Sequence, residues 1–414
     1  MARGYNRLPL AAALLAAASS ANAGISIPAG DWTLDIGGVV NAYYTSTRTS
    51  GTAGGLASAN DTGTKTASNI TTGLLPNYLS VSGKTRQNDL DVAFTISINP
   101  GASTTSAGQQ SAQQENRQAF LTFGDASWGS IKLGKDLGIY ASDAILNDMT
   151  LLGVGSAAGM LAGNTTTLGR IGSGFMYADW KAQVAYTTPN FNGFNATVGL
   201  TQAWNASNSS QRGGSEPAFE GKASYAWTGD VAGKVWVSGI SQKVKGAGQV
   251  DAVTGVSALG TTVAQVLAVT GVAGQDSRAE SFDVGANVNV AGFGLTGYYY
   301  DGRGIGQTVQ LNNGFDATGS RRDSNGGYVQ ATYVLPTQTK LGVSWGESNL
   351  DGTSGDTFST QTNEMWTIGA YHPITKHLNL VAEYSDVKYT TENKAKANTE
   401  GKAQTVSLGA ILFF

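Results

Sequence analysis

The sequence predicts an all-β transmembrane protein, an antiparallel barrel of sixteen strands. Three observations support this prediction. Apolar and polar residues alternate with a period of two in most segments, short and long connections take turns, and the chain ends on the apolar stretch SLGAILFF. Alternation places one row of side chains on each face of a strand. Short turns on one side and long loops on the other are typical of outer-membrane barrels.

The first 23 residues form a segment of their own. They contain two arginines, a short apolar run and the small residues Ala21-Asn22-Ala23. This order is typical of a cleaved secretory signal peptide, and the apolar run is too short to span a bilayer. We therefore expect residues 1–23 to be removed and residues 24–414 to form a single barrel domain.

The composition excludes several other classes of protein. Hydrophobic residues make up 41% of the chain, which argues against disorder. The net charge is −3, and −5 without the two signal arginines, so nucleic acid is not an expected partner. There is no cysteine, so disulfides do not hold the chain together. The mature chain also lacks the roughly 20 consecutive apolar residues of a membrane helix.

Sixteen segments fit the strand pattern, and this even number places both chain ends on the side of the short turns. In one of them Leu90, Val92 and Phe94 alternate with Asp91 and Ala93. The predicted strands are residues 31–45, 73–83, 88–99, 114–123, 127–135, 179–188, 193–204, 217–228, 232–244, 278–290, 293–301, 326–335, 339–348, 363–371, 377–389 and 402–414.

The last strand accounts for the apolar end of the chain. One face carries an apolar row, and Ser407 and Gly409 lie on the other face. We expect the apolar row to face lipid, with Phe414 at the membrane interface. Pairing of this strand with the first one closes the barrel and removes sheet edges that lipid cannot satisfy. The row consists of Val406, Leu408, Ala410, Leu412 and Phe414.

Other exported β proteins share some of these features. A glycine-rich chain of many strands also fits a β-solenoid or an exported adhesin, but no repeat of fixed period is visible. A soluble sandwich does not explain a polar face on nearly every strand. The adhesin stays a remote alternative.

The stretch NRQAFLTFGDASWGSIKLGKD, residues 116–136, resembles the fourth strand, tight turn and fifth strand of the general diffusion porins. These are trimeric sixteen-stranded barrels of Gram-negative outer membranes, and the likeness covers the mature chain. It implies a homotrimer in contact with outer-membrane lipid and lipopolysaccharide. It also implies that the third loop, residues 135–178, folds inward and constricts the channel, and that Phe414 engages the barrel assembly machinery.

The resemblance also implies residues of the pore constriction. Arg117 matches an arginine of the fourth strand, and Arg170 matches another member of the arginine cluster. Tyr78 stands where a third arginine is expected. Asp148 matches a carboxylate of the loop, whereas Leu152 replaces an expected glutamate.

Strand alternation adds further charges to the predicted lumen. Opposed charges across a water-filled constriction sort ions by sign. With Arg117 and Arg170, Lys132 is expected to outweigh Asp148 there and to give a weak preference for anions. The charges predicted to point inward are Lys132, Lys181, Lys222 and Lys340, against Asp35, Asp89, Asp91, Asp283 and Glu383.

These features predict a water-filled channel for passive diffusion of small hydrophilic solutes and ions. The alternative is a solute-specific porin, selective for sugars or anions, with Tyr298 and Tyr300 along the path. A barrel enzyme is a remote alternative, because His372 and His377 are the only histidines and both flank a predicted short turn. No catalytic residue, cofactor or metal site is expected.

Overall fold

The structure is a computed structural model that describes residues 24–52, 54–57, 65–103, 114–157, 166–206, 216–248 and 274–414. The predicted signal peptide lies outside these residues. The strands are β1 Ile25–Ala29, β2 Trp32–Gly51, β3 Thr66–Thr71, β4 Tyr78–Gln87, β5 Leu90–Pro100, β6 Gln114–Glu115, β7 Ala119–Asp125, β8 Gly129–Leu137, β9 Trp180–Thr187, β10 Phe194–Thr201, β11 Ala218–Trp227, β12 Val231–Ala247, β13 Gln275–Val290, β14 Phe293–Arg303, β15 Asp323–Val334, β16 Lys340–Asp351, β17 Phe358–Pro373, β18 Leu378–Asn393 and β19 Thr399–Phe413.

Helical structure is limited to three short pieces of the described chain. The α-helix α1 comprises Ser142–Asn147, and two 3-10 turns comprise Gly55–Ala57 and Met149–Leu152. None of the helices in these residues is long and apolar enough to cross a membrane.

The strands form one closed antiparallel barrel of sixteen strand positions, as predicted. β3 and β4 both pair with β2 and together make the second position. β6 and β7 both pair with β5 and make the fourth position. β1 pairs with the first residues of β2. β19 pairs with β2 from Gly401 opposite Gly51 to Phe413 opposite Val39, which closes the barrel.

The terminal residue takes part in this closure. The backbone N–H of Phe414 donates to Gly38 O at 3.1 Å, and Phe414 O accepts from the N–H of Gly38 at 2.8 Å. A Cβ at Gly38 would lie 2.2 Å from Tyr78 O and 2.7 Å from the Phe414 ring. Glycine is therefore required where the two ends of the barrel sheet meet.

The second strand, predicted at residues 73–83, begins only at Tyr78, and an interruption separates it from β3, which lies in the predicted loop. Residues 72–77 leave the sheet, and Pro76 within them has no N–H to donate to a strand ladder. The side chain of Asn41 bonds this segment instead, because its Nδ2 donates to Leu75 O and its Oδ1 accepts from the N–H of Gly73, both at 2.9 Å. The interruption turns Leu74 and Leu75 toward the lumen.

The two faces of the barrel differ in polarity, as alternation predicts. In β19, Leu408 is 53% exposed, whereas its neighbour Ser407 is buried. Aromatic side chains lie outward near the short turns and again toward the opposite rim, which matches the two aromatic girdles of a membrane barrel. The exposed aromatic residues include Trp128, Phe191, Phe194, Tyr225 and Phe293 near the short turns, and Tyr44, Phe219, Phe282, Tyr299 and Trp345 toward the long loops.

Candidate functional site

The long connection between β8 and β9, which the structure describes at residues 138–157 and 166–179, lies inside the barrel. The hydroxyl of Tyr140 is 2.6 Å from Ser281 Oγ of β13. Tyr328 of β15 donates its hydroxyl to Ala144 O of α1 at 2.9 Å. The hydroxyl of Tyr43, on β2, donates to Leu152 O at 2.7 Å. Contacts with strands on opposite sides of the barrel confirm that the third loop folds inward.

A buried ion pair binds the beginning of this loop. Glu220 of β11 accepts the backbone N–H groups of Ile139 and Tyr140 at 2.8 and 2.9 Å. Its other oxygen accepts from Lys181 Nζ at 2.6 Å and from Thr201 Oγ1 at 2.8 Å. Both charged side chains are 0% exposed. The carboxylate is therefore fully paired inside the protein, as a buried charge requires.

A second buried carboxylate binds the middle of the loop. Glu383 Oε2 of β18 accepts the N–H groups of Val154 and Gly155 at 2.7 and 2.8 Å, and its Oε1 accepts from the Tyr371 hydroxyl at 2.6 Å. A Cβ at Gly153 would lie 2.1 Å from Glu383 Oε1. A side chain at residue 153 would therefore push the Glu383 carboxylate away from its bonds to the loop.

Aromatic rings fill the space between the loop and strands β13–β15. Phe175 lies 5.8 Å from Tyr328 and 6.5 Å from Tyr298, measured between ring centroids, and Tyr298 lies 6.4 Å from Tyr300. Tyr298 and Tyr300 point inward and Tyr299 outward, as alternation suggests. The two inward tyrosines are nevertheless covered by the loop, and neither lines the two lumen cavities described below.

The sixth long connection, residues 304–322, also turns inward, which the sequence did not indicate. The side-chain amide of Gln310 donates to Tyr177 O at 3.0 Å, and its oxygen accepts from Lys181 Nζ at 2.6 Å. Gln307 donates to Ser348 O at 2.6 Å. This connection therefore covers the third loop from the side of the long loops.

Arg170 belongs to the third loop, and its side chain lies on the side of the loop that packs against β15, β16 and β17. Its side chain is 0% exposed, and its guanidinium donates to Met365 O at 2.9 Å and to Ser344 Oγ. It packs 5.9 Å from the centre of the Tyr328 ring. These contacts join the loop to β15, β16 and β17, and Arg170 lines neither lumen cavity.

Asp148 also bonds within the loop. Its Oδ1 accepts the N–H of Thr150 at 3.0 Å and caps the 3-10 turn that follows. Burial raises the pKa of the Asp148 carboxyl, although Arg170 and the bonds from Thr150 oppose that rise. Asp148 borders the smaller of the two cavities and does not line the larger one.

The loop carboxylate that meets wall lysines is Asp143, which sequence reasoning missed. Lys222 Nζ lies 3.2 Å from Asp143 Oδ2, and Lys234 Nζ contacts Oδ1. Burial favours the neutral acid, but the two lysines outweigh it and lower the pKa of Asp143. Alternation indicates Lys222 as an inward residue, whereas no strand periodicity applies to the loop helix.

The larger cavity, of about 960 Å³, lies between the loop and the wall formed by the early strands. Arg117, Lys132 and Tyr78 line it. Arg117 pairs with Glu115 at 2.6 Å, and Lys132 pairs with Asp136. The loop presents apolar side chains to this cavity, namely Ile145, Leu146, Leu151 and Ile171. The cavity is therefore charged on the wall side and mostly apolar on the loop side, where Ser142 and Thr166 are the polar exceptions among these loop residues.

The smaller cavity, of about 510 Å³, lies toward the short turns and is bordered by Gly229, Gly292 and Pro336. Leu75, Leu146 and Leu151 line both cavities, and the two cavities therefore meet at these leucines. We call them the leucine ridge. The passage through the barrel thus includes an apolar section.

Groups suited to catalysis or metal binding are scarce in the described part of the chain. No cluster of three or more His, Cys, Asp or Glu side chains there could hold a metal ion. His372 Nδ1 lies 2.9 Å from Thr339 Oγ1, next to two short turns.

A closed sixteen-stranded barrel with an apolar, girdled outer face and cavities along its lumen defines an outer-membrane channel protein. A family profile described as Gram-negative porin matches residues 10–394. The chain belongs to this family.

Solved structures share the fold. The outer membrane channel DcaP of Acinetobacter baumannii is 16% identical with a TM-score of 0.65, over 94% of this chain and 99% of that one. An anion-selective porin from Comamonas acidovorans is 14% identical with a TM-score of 0.59, over 92% and 100%. OmpT of Vibrio cholerae in its trimer form is 14% identical with a TM-score of 0.56, over 92% and 99%. A search of curated proteins found no match.

The chain is therefore a porin of the Gram-negative outer membrane, a channel for passive diffusion. The family and its solved relatives agree with the membrane, the strand number and the channel function expected from the sequence.

Proposed function

We propose that the channel is narrowest between Arg117, Lys132 and Tyr78 on the wall and the apolar face of the third loop. The observation that supports this proposal is that all three side chains line the larger cavity opposite Leu146 and Leu151. Water and ions pass along the charged wall, because an apolar surface offers them no hydrogen bonds.

In this proposal Arg170 and Asp148 hold the loop in place and do not line the constriction. Arg170 bonds two wall strands, and Asp148 bonds Thr150 within the loop. This differs from the pore-lining role that the family resemblance implies for both residues.

We propose a weak preference for anions. The charges at the larger cavity are largely paired, Arg117 with Glu115, Lys132 with Asp136, and Lys84 with Asp35 at 3.6 Å. Paired charges nearly cancel at a distance, so the remaining selectivity is small. A positive excess remains where Lys222 and Lys234 share the single carboxylate of Asp143.

Replacement of Arg117 and Lys132 by glutamine is expected to shift the permeability ratio toward cations by about two- to fivefold, since charge interactions near water reach about 1 kcal/mol. Reversal potentials in a KCl gradient measure this ratio. Lys402→Gln is the matched control, because Lys402 pairs with Glu400 on the last strand and lines neither cavity. An unchanged reversal potential in the double variant would contradict the proposed constriction.

We also propose that the protein is a homotrimer. Its apolar outward faces support this, as does the trimer form of the OmpT relative. Contact of the second loop with a neighbouring subunit is part of the proposal, and residues 104–113 of that loop lie outside the described residues. The mass in detergent and the migration of unheated and boiled samples on a gel test it. A monomer by both criteria would exclude the trimer. Lipopolysaccharide and the assembly machinery stay predicted partners.

A further inference from the structure

The smaller cavity combines apolar walls with a lysine that makes no ion-pair contact within the described residues. Lys340 lines it, and its Nζ lies 4.9 Å from the centre of the Tyr371 ring. In the described part of the chain this ammonium has neither an ion pair nor a hydrogen bond to protein. A cation over an aromatic ring retains its ability to bind an anion, because the ring leaves the N–H donors free.

The other charges at this cavity are already compensated or lie in water. Asp148 accepts bonds from Thr150 and interacts with the Arg170 guanidinium, and its interaction with Lys340, like that of Glu383, acts beyond ion-pair distance. Asp230 belongs to a short turn and is exposed to solvent. The Lys340 ammonium is thus the charge available to a solute in the cavity.

The apolar side of the cavity is the leucine ridge together with Met149. A small inorganic ion gains nothing from this surface, whereas an aromatic ring or alkyl chain gains by leaving water there. Asn287 and Gln330 border the same space, and their amides are held by bonds to Thr296 and to the loop. Cavities of about 300–1,000 Å³ with mostly apolar walls and a few polar groups are typical binding sites for small molecules.

We propose that this cavity is a binding subsite for amphipathic organic monoanions, compounds with one carboxylate and one apolar ring or chain. The carboxylate binds the Lys340 ammonium, and the apolar part lies on the leucine ridge. The inference rests on the proposed channel, since the solute arrives through the lumen. Binding at this subsite makes the channel selective for amphipathic monoanions, in addition to its weak preference for anions in general.

The test uses benzoate as the probe in planar bilayers that contain the purified protein in KCl. Benzoate added on the side of the short turns should block the current in a saturable manner. Acetate has the charge without the ring, and benzyl alcohol has the ring without the charge. Each should bind at least about tenfold more weakly than benzoate.

Variants assign the block to the cavity. Lys340→Met should weaken benzoate block at least about tenfold, and Lys340→Arg should retain it. Lys84→Met removes the same charge from the larger cavity, and its benzoate affinity should stay within about twofold of the wild type. If Lys340→Met conducts KCl and binds benzoate as the wild type does, or if acetate blocks as well as benzoate, the subsite is refuted and the channel stands. Absence of KCl conductance in the wild type would refute the proposed channel itself.

Discussion

Replacement of Lys181 by methionine is expected to lower the free energy of unfolding by about 3–5 kcal/mol. The change leaves the Glu220 carboxylate buried without its cation, while methionine nearly preserves the volume of the side chain. Because Glu220 also holds the N–H groups of Ile139 and Tyr140, the third loop should loosen where it enters the lumen. Unfolding in guanidinium from lipid vesicles measures the loss, and current noise in bilayers reports the loop.

A second lysine provides the control for this prediction. Lys84 pairs with Asp35 at 3.6 Å with its side chain 69% exposed, and exposed pairs contribute at most about 1 kcal/mol. Lys84→Met should therefore be nearly neutral for stability. The double change Lys181→Met with Glu220→Gln should recover part of the loss, because the unpaired buried charge is then absent while the amide oxygen can still accept from the N–H groups of Ile139 and Tyr140. Equal costs for the two single lysine variants would contradict the role given to Lys181.

Replacement of Glu383 by alanine is expected to release the middle of the third loop. The N–H groups of Val154 and Gly155 and the hydroxyl of Tyr371 lose their shared acceptor. Each buried donor left without a partner costs about 1–3 kcal/mol, and water that enters the lumen offsets part of this cost. We expect a net destabilisation of about 3 kcal/mol and frequent brief closures in single-channel records.

A second substitution reaches the same contact from the loop side. Gly153→Ala places a methyl group against the Glu383 carboxylate and should also produce closures. Glu400→Ala is the matched control, since Glu400 lies on β19 and its carboxylate pairs with the exposed residues Lys388 and Lys402. Quiet, wild-type records from both Glu383→Ala and Gly153→Ala would show that this contact does not hold the loop.

The barrel could be predicted from sequence because lipid imposes two strict conditions on every strand. Backbone groups must pair between strands, and outward side chains must be apolar, so alternation alone distinguishes the two faces. Lys181 and Glu383 point inward for this reason. The same argument does not predict the break at residues 72–77. There Pro76 has no N–H for a ladder hydrogen bond, and the side chain of Asn41 bonds the segment instead.

The interior of the channel was less predictable, because it depends on the path of a loop. Resemblance identifies Arg117, Arg170 and Asp148 by residue type and position along the chain. Whether such a side chain faces water or the wall depends on how the third loop packs. Arg170 of the loop packs against wall strands, whereas Asp143 pairs with Lys222 of the wall. Residues on strands have a direction set by periodicity, whereas loop residues do not.

At the level of the larger cavity, the open path follows the early strands, while the third loop closes the space against β13–β15. The chain has no cysteine, so a single introduced thiol is a clean probe. Ser80 of β4 lines the larger cavity, whereas Ser324 of β15 is 1% exposed, points inward and lines neither cavity. With a charged, membrane-impermeant thiol reagent during current recording, Ser80→Cys should change the current rapidly and Ser324→Cys should not respond. Rapid reaction of Ser324→Cys with an inert Ser80→Cys would contradict this arrangement of the channel.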